Sequence, residues 1–159
     1  MIVFVPMLIE ARRAASNERV QRERGGIEAQ GDVYNIMRVV YPVAFLLMIA
    51  EGALRGGAPI AVATTGLVLF AAAKALKWWA ILTLGRSWTF RVIVVPKAQL
   101  VASGPYQFIR HPNYVAVLGE LLGVALLTDA RVTGPVAIGG FGILIWKRIV
   151  VEERALRSG

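Results

Sequence analysis

GPYQFIRHPNYVAVLGELLGVALLT, residues 104–128, joins a polar motif to an apolar run, and this junction decides the fold. The polar part holds His111, the only histidine of the chain, directly after Arg110. Ionisable groups are costly to keep next to hydrocarbon, so charged residues at the end of a lipid-like helix are functional candidates. We therefore expect a membrane helix over residues 112–128 with functional polar residues at its start.

Composition supports a membrane protein of one domain, covering residues 1–159. The chain is 57% hydrophobic with a mean hydropathy of +0.60, above the usual values for a soluble domain. It has no cysteine, which excludes disulfides, thiolate ligands and a cysteine nucleophile. A single histidine argues against a multi-histidine metal site, so we predict no metal. The net charge of +8 could indicate nucleic acid, but its distribution favours a membrane instead.

Five apolar stretches can be marked, at residues 1–9, 37–54, 59–84, 112–128 and 132–151. Several are near or below the length of about 17 to 25 residues that a spanning helix needs. The first would span roughly 13 Å, less than half of the hydrocarbon core. We expect it to be a truncated span or to enter only part of the membrane, and to continue as a basic arm to Gly25-Gly26.

Charge placement indicates the topology better than hydropathy does. Alternating the five segments across a bilayer puts sixteen of the eighteen basic residues on one side and leaves only Arg55 and Arg131 opposite. Basic residues collect on the cytoplasmic side of membranes. The pattern predicts an all-α integral membrane fold with about five transmembrane helices and the N-terminus outside. We expect a bacterial inner membrane, with the active site facing the cytoplasm.

Three local features refine this layout. Residues 86–103 are the least helical part, because the run from Trp88 to Val95 is β-branched and aromatic and ends at Pro96. We predict an irregular or short-strand cytoplasmic segment there, before the fourth helix. Asp32 is expected to be the N-cap of the second helix. Close helix contacts are expected at the glycines of the fifth helix, which are Gly134, Gly139, Gly140 and Gly142.

The motif Arg110-His111-Pro112-Asn113-Tyr114 is the first candidate for chemistry. Proline suits the first turn of a helix, which places His111 beside the unpaired N–H groups and the positive dipole end of the fourth helix. An anionic group such as a carboxylate is well received there. An interfacial basic cluster that anchors the helix to lipid headgroups is an equally strong interpretation.

Two further candidates carry carboxylates. Arg148 and Glu152 are four residues apart and share a helix face, which could be a local salt bridge of small value. Arginine before glutamate is the less favourable order in a helix, and carboxylates near a helix C-terminus oppose its dipole, so another role is indicated. Glu120 lies two turns inside the fourth helix and should face the bundle interior. It could line a substrate cavity, as a catalytic residue, or hydrogen-bond a neighbouring helix, with nearly equal weight.

These motifs resemble the isoprenylcysteine carboxyl methyltransferase family, which is related to the membrane phospholipid methyltransferases. Gly-x-Tyr, Arg-His-Pro-x-Tyr and a terminal Arg-x-x-x-Glu-Glu carry the resemblance, over residues 100–114 and 148–156. It implies an integral membrane enzyme that uses S-adenosylmethionine to methylate a lipophilic or prenylated substrate, with a catalytic half over residues 86–159. It also implies that Arg148 faces the substrate and that the cofactor is surrounded by Gln99, Leu100, Val101, Tyr106, His111, Pro112, Asn113, Tyr114 and Glu152. Ala98 departs from the eukaryotic pattern, which has histidine there.

Methyl transfer from a sulfonium depends mainly on positioning and on charge placement. Glu152 is suited to the cofactor's ammonium or ribose hydroxyls, His111 to its carboxylate, and Arg148 to an anionic nucleophile. A carboxylate acceptor needs no general base, whereas an alcohol or amine would need one, from His111 or Glu120. Two alternatives stay open: an NADPH-dependent membrane reductase of the sterol or enone type, and a small membrane structural or transport subunit. In the second, His111 and Glu152 would not be close in space.

Overall fold

The computed structural model describes residues 4–96 and 101–158, which form five α-helices and a two-stranded sheet. Among these residues the elements follow in the order α1 (Phe4–Glu23), β1 (Ile27–Glu28), α2 (Tyr34–Arg55), α3 (Ile60–Leu84), β2 (Ile93–Val94), α4 (Pro112–Thr128) and α5 (Thr133–Ser158). Single-turn 3₁₀ helices lie at Gly85–Ser87 and Gly104–Gln107. The helical fold is as predicted, and so is the largely irregular segment before α4, with its one short strand.

Three of the five helices are long and apolar enough to cross a membrane within the described part of the chain: α2, α3 and α5. α4 is apolar, but its 17 residues rise only about 26 Å, slightly less than a hydrocarbon core of about 30 Å. α1 differs in kind, since its buried residues include Glu10, Asn17 and Gln21. Five helices are therefore present, but the five predicted spans are not confirmed.

Helix boundaries follow local chemistry. Pro112 opens α4, where its missing N–H costs nothing, and Asp129 ends the same helix in a left-handed conformation with φ 57°. Gly56 ends α2 in the same way, with φ 84°. The N-cap of α2 is Val33, so the prediction of Asp32 was wrong by one position. The Asp32 carboxylate still accepts the Tyr34 N–H at 3.0 Å from just outside the helix.

The closest helix contact joins α3 and α4 through glycines. A Cβ added at Gly123 would lie 2.7 Å from the backbone nitrogen of Phe70, and one at Gly66 would lie 2.5 Å from that of Leu127. In α5, only Gly134 packs closely, against Ala125; the other three expected glycines would meet no atom within 4 Å of an added Cβ. Their predicted contacts are therefore absent from the described structure, because the tight interface formed elsewhere.

α1 packs through a polar face onto the segment that follows α3. The Asn17 amide donates to the carbonyl oxygens of Gly85 at 3.0 Å and Trp88 at 2.7 Å. Farther along, Gln21 donates to the Arg86 carbonyl at 2.6 Å. β1 then pairs antiparallel with β2. Because these bonds bind backbone groups of the segment after α3, α1 and β1 hold residues 85–94 in place beside the helix bundle.

Candidate active site

The predicted site residues of α4 and α5 meet around Tyr114, in the first turn of α4. The Tyr114 hydroxyl donates to Glu152 Oε2 at 2.8 Å and accepts the Arg148 Nε–H at 3.0 Å. Arg148 and Glu152 are thus linked through a residue of the other helix. The chain Arg148–Tyr114–Glu152 fixes the relative position of a cation, a hydroxyl and a carboxylate.

His111 lies beside the same carboxylate. Its ring stacks on the Tyr114 ring with centroids 5.5 Å apart, and its Nδ1 is 4.0 Å from Glu152 Oε2. Its Nε2 is 3.9 Å from Glu153 Oε1, which also lies 3.7 Å from Arg110 Nη1. The structure therefore brings together the two motifs that the sequence keeps some forty residues apart. The alternative of a non-enzymatic subunit expected His111 and Glu152 to be distant.

Two buried polar atoms at this site have no hydrogen-bond partner among the described residues: His111 Nε2 and Asn113 Oδ1. Buried polar atoms are nearly always hydrogen-bonded in folded proteins, and an exception needs an explanation. Both atoms belong to residues that the family resemblance implies lie around a cofactor. Asn113 Oδ1 needs a donor such as an amino or hydroxyl group, and His111 Nε2 can donate its hydrogen to a carboxylate, so the two atoms fit an amino-acid-bearing nucleoside cofactor such as S-adenosylmethionine.

The guanidinium of Arg148 is nearly enclosed, with the residue 7% exposed. Its Nη1 lies 3.3 Å from Asp32 Oδ1, and its Nη2 donates to the Phe90 carbonyl oxygen. Asp32 was not predicted as a site residue, because a carboxylate before a helix is ordinarily explained by capping. No local pattern in the sequence indicates this pairing with α5.

The remaining predicted cofactor residues lie on the segment that leads into α4. Burial raises the pKa of the Tyr106 phenol, and the nearby charge of Glu152 raises it further, so Tyr106 stays a neutral hydroxyl. Pro112 is fully buried under the motif, and Val101 is half-buried. The predictions for Gln99 and Leu100 fall outside the described residues.

Glu120 belongs to a second group of charges, the buried ion cluster of Glu10, Lys74, Lys77 and Glu120. Glu120 is 0% exposed, and its Oε2 lies 3.0 Å from Lys74 Nζ while its Oε1 lies 3.3 Å from Lys77 Nζ. The same two ammonium groups lie 3.0 and 2.8 Å from the Glu10 carboxylate. Tyr41 completes the cluster with a hydrogen bond of 2.5 Å to Glu120 Oε2.

The buried ion cluster is neutral, with two carboxylates and two ammonium groups that join α1, α3 and α4. Such an arrangement repays part of the cost of burying each charge. Its geometry favours the second expected role of Glu120, bonding to neighbouring helices, and the catalytic role stays a prediction. The sequence analysis missed this use of Lys74 and Lys77, although charges spaced three apart inside an apolar run were a visible signal.

Comparison with known proteins identifies related chains. The model of the isoprenylcysteine carboxyl methyltransferase (ICMT) family matches residues 64–158, which include α4, α5 and most of α3. The uncharacterized protein YpbQ of Bacillus subtilis (strain 168) is 31% identical over 157 residues, 99% of this chain and 94% of that protein. No solved structure matches.

Two relatives with named activities or roles match only in part. Protein-S-isoprenylcysteine O-methyltransferase B of Arabidopsis thaliana is 30% identical over 99 residues, 58% of this chain and 48% of that protein. The cobalt-zinc-cadmium resistance protein CzcN of Cupriavidus metallidurans is 36% identical over 77 residues, 48% of this chain and 36% of that protein. The chain thus spans about half of the plant enzyme and about a third of CzcN.

Proposed function

The chain belongs to the isoprenylcysteine carboxyl methyltransferase family, and we propose that it transfers a methyl group from S-adenosylmethionine to a lipophilic acceptor. We further propose that it acts at the cytoplasmic face of a bacterial inner membrane. The predicted sorting of sixteen basic residues to one side, fourteen of them outside the buried ion cluster, supports that orientation, and the three long apolar helices support insertion in the membrane.

The observation that carries the proposal is the meeting of the two sequence motifs at Tyr114. The hydroxyl of Tyr114 joins Glu152 to Arg148, and His111 lies against both Tyr114 and Glu152. This group lies within the segment that the family model matches. Two further polar atoms, His111 Nε2 and Asn113 Oδ1, have no hydrogen-bond partner in the part of the chain that the structure describes, and a ligand could bond to them.

When bound, S-adenosylmethionine would supply an electrophilic methyl group on a positively charged sulfur. Glu152 would hold the ammonium or the ribose hydroxyls, because its carboxylate is an acceptor fixed in direction by Tyr114. The first turn of α4 and His111 would receive the carboxylate, where unpaired N–H groups and the helix dipole favour an anion. Asn113 Oδ1 would accept a hydrogen bond from the same ligand.

The acceptor would approach from the lipid with its head group toward Arg148. An anionic head group would have to share the guanidinium with Asp32, which already lies 3.3 Å from it. A carboxylate acceptor would need no proton removed. A hydroxyl acceptor would need a general base, but the cofactor's carboxylate takes His111 Nε2 in this arrangement. The residues therefore favour O-methylation of a carboxylate head group.

The test is methyl transfer by the purified protein in detergent. Radiolabelled S-adenosylmethionine is supplied with N-acetyl-S-farnesylcysteine, or in a parallel reaction with a long-chain fatty acid, and labelled ester and S-adenosylhomocysteine are measured. We expect turnover that Glu152→Gln and His111→Ala reduce by at least tenfold, while Asp129→Asn at the far end of α4 leaves it unchanged. Binding of S-adenosylmethionine without any methylation of either probe would refute this acceptor class. Absence of cofactor binding would refute the function itself.

A further inference from the structure

Asp32 touches three separate parts of the molecule from the loop between β1 and α2. Its side chain is 5% exposed, and its Oδ1 lies 3.3 Å from Arg148 Nη1. The same Oδ1 accepts the Tyr34 N–H at 3.0 Å, and Oδ2 accepts the Val92 N–H at 2.9 Å. Because backbone N–H groups donate to both oxygens, the orientation of the carboxylate is fixed independently of Arg148.

Asp32 holds Arg148 in two ways. The carboxylate contacts Nη1 directly, while its bond to Val92 anchors the segment before β2, whose Phe90 carbonyl accepts a hydrogen bond from Nη2. A guanidinium is planar, so fixing both terminal nitrogens also fixes the direction of its Nε–H. That Nε–H is the one donated to the Tyr114 hydroxyl.

The Tyr114 hydroxyl passes this orientation on to Glu152. A phenolic oxygen carries one hydrogen, and the hydroxyl rotates to suit its partners. Because the oxygen accepts from Arg148 Nε at 3.0 Å, its own hydrogen is directed toward Glu152 Oε2 at 2.8 Å. The Glu152 carboxylate is thereby held in one position, through its Oε2.

We infer that Asp32 is a positioning residue that orients the Glu152 carboxylate through Arg148 and Tyr114. This rests on the proposed function, in which Glu152 binds S-adenosylmethionine, and it adds a residue outside the segment matched by the family model. The set Asp32–Arg148–Tyr114–Glu152 is called the orienting chain. Its first member sets how tightly its last member holds a ligand, although Asp32 itself need not touch that ligand.

The test is a double-mutant cycle on cofactor affinity, with Asp32→Asn, Tyr114→Phe and the double variant. Equilibrium binding of S-adenosylmethionine to the full chain in detergent gives four dissociation constants. Each single variant should weaken binding roughly tenfold, because a misplaced binding group loses much of its effect. The double variant should bind the cofactor no more weakly than Tyr114→Phe alone. Loss of the Tyr114 hydroxyl already breaks the hydrogen-bond link between Arg148 and Glu152, so Asp32 can no longer affect Glu152. If the double variant binds S-adenosylmethionine roughly a hundredfold more weakly than the wild type, the two substitutions act independently and the inference is overturned.

Matched controls separate orientation from general damage. Glu28→Gln removes the same charge from the neighbouring strand, where Glu28 pairs with Arg22 and Arg91, and it should change affinity less than twofold. A loss equal to that of Asp32→Asn would overturn the inference. Asp32→Ser, which keeps an oxygen for the Tyr34 N–H, replaces Asp32→Asn if the latter does not fold.

The two proposals fail in different ways. If the wild-type protein binds no S-adenosylmethionine, the proposed function is refuted, and the orienting chain is then measured in thermal unfolding of the same four proteins. There, a combined loss smaller than the sum of the single losses supports the orienting chain. A combined loss equal to that sum overturns it.

Discussion

Glu10→Gln should be among the most damaging single substitutions on α1, although it removes only one charge. Glu10 contributes one of the two carboxylates of the buried ion cluster and is 1% exposed. With glutamine in its place, Lys74 and Lys77 would share the single carboxylate of Glu120. One positive charge would then be buried without compensation. Breaking a buried ion pair by removing one partner costs about 3–5 kcal/mol, and we expect a loss of stability in that range.

The distances support this magnitude. Glu10 lies 3.0 Å from the ammonium of Lys74 and 2.8 Å from that of Lys77. At an effective dielectric constant of about 20, one such pair at 4 Å interacts by about 4 kcal/mol. The two contacts of Glu10 are shorter, so their combined interaction energy exceeds that value. Glutamine avoids the cost of burying a charged carboxylate, which offsets part of the loss.

Thermal unfolding in detergent, followed by tryptophan fluorescence, measures the effect. For a chain of this length each kcal/mol shifts Tm by about 2–4 °C, so Glu10→Gln should lower Tm by roughly 6–20 °C. Glu18→Gln is the matched control on the same helix: Glu18 lies 3.8 Å from Arg91 in a partly exposed pair, and its loss should cost less than about 1 kcal/mol.

A second substitution tests the cause. Adding Lys77→Gln to Glu10→Gln restores a neutral cluster and should recover at least half of the lost Tm. The reasoning is refuted if Glu10→Gln melts within about 2 °C of the wild type, or if adding Lys77→Gln lowers Tm further.

Three further predictions concern packing, topology and pH. Gly123→Ala should lower the free energy of unfolding by about 1–3 kcal/mol, because the added methyl group pushes α3 away from α4. Gly140→Ala, which has open space around it, should be neutral or slightly stabilising in the same thermal unfolding experiment. In this cysteine-free chain, cysteines introduced at Arg86 and Arg131 should react with impermeant reagents from opposite sides of the membrane; labelling from one side would contradict the topology. The Arg91 hydrogen bond lowers the pKa of Glu28, as does that of Arg22, so Glu28→Gln should lower Tm slightly at pH 7. The Tm difference between the wild type and Glu28→Gln should shrink as pH falls below the ordinary glutamate pKa of about 4.5, and it should vanish once pH passes the lowered pKa of folded Glu28. A Tm difference that stays constant with pH would show that the charge of Glu28 is not responsible.

The helix layout could be predicted because local signals set it. Apolar length, Pro112 and the residues around Thr128 place α4 at the predicted positions, and α2, α3 and α5 start and end within a few residues of their apolar stretches, apart from the C-terminal extension of α5. The spanning state of α1 could not be predicted in this way. Its first apolar residues are followed by a buried polar face, and the partners of that face lie far along the chain.

The site could be predicted only as two separate motifs. The sequence indicates His111, Tyr114, Arg148 and Glu152 through spacing and resemblance, and the structure brings all four together. Asp32 could not be predicted as a member, because a carboxylate before a helix has an adequate local explanation. Glu120 shows the converse: its burial was expected, but its partners depend on how α1 and α3 pack against α4.

Equilibrium binding of labelled S-adenosylmethionine to the purified wild-type protein and to Glu152→Gln tests the central claim most directly. We expect saturable binding to the wild type, with no displacement by NADPH. Glu152→Gln should bind at least tenfold more weakly, because loss of a charge-assisted hydrogen bond costs about 1.5–3 kcal/mol. Glu28→Gln, as a control of equal charge, should bind normally. Absence of saturable binding to a folded wild-type protein, or equal affinity for wild type and Glu152→Gln, would contradict the account.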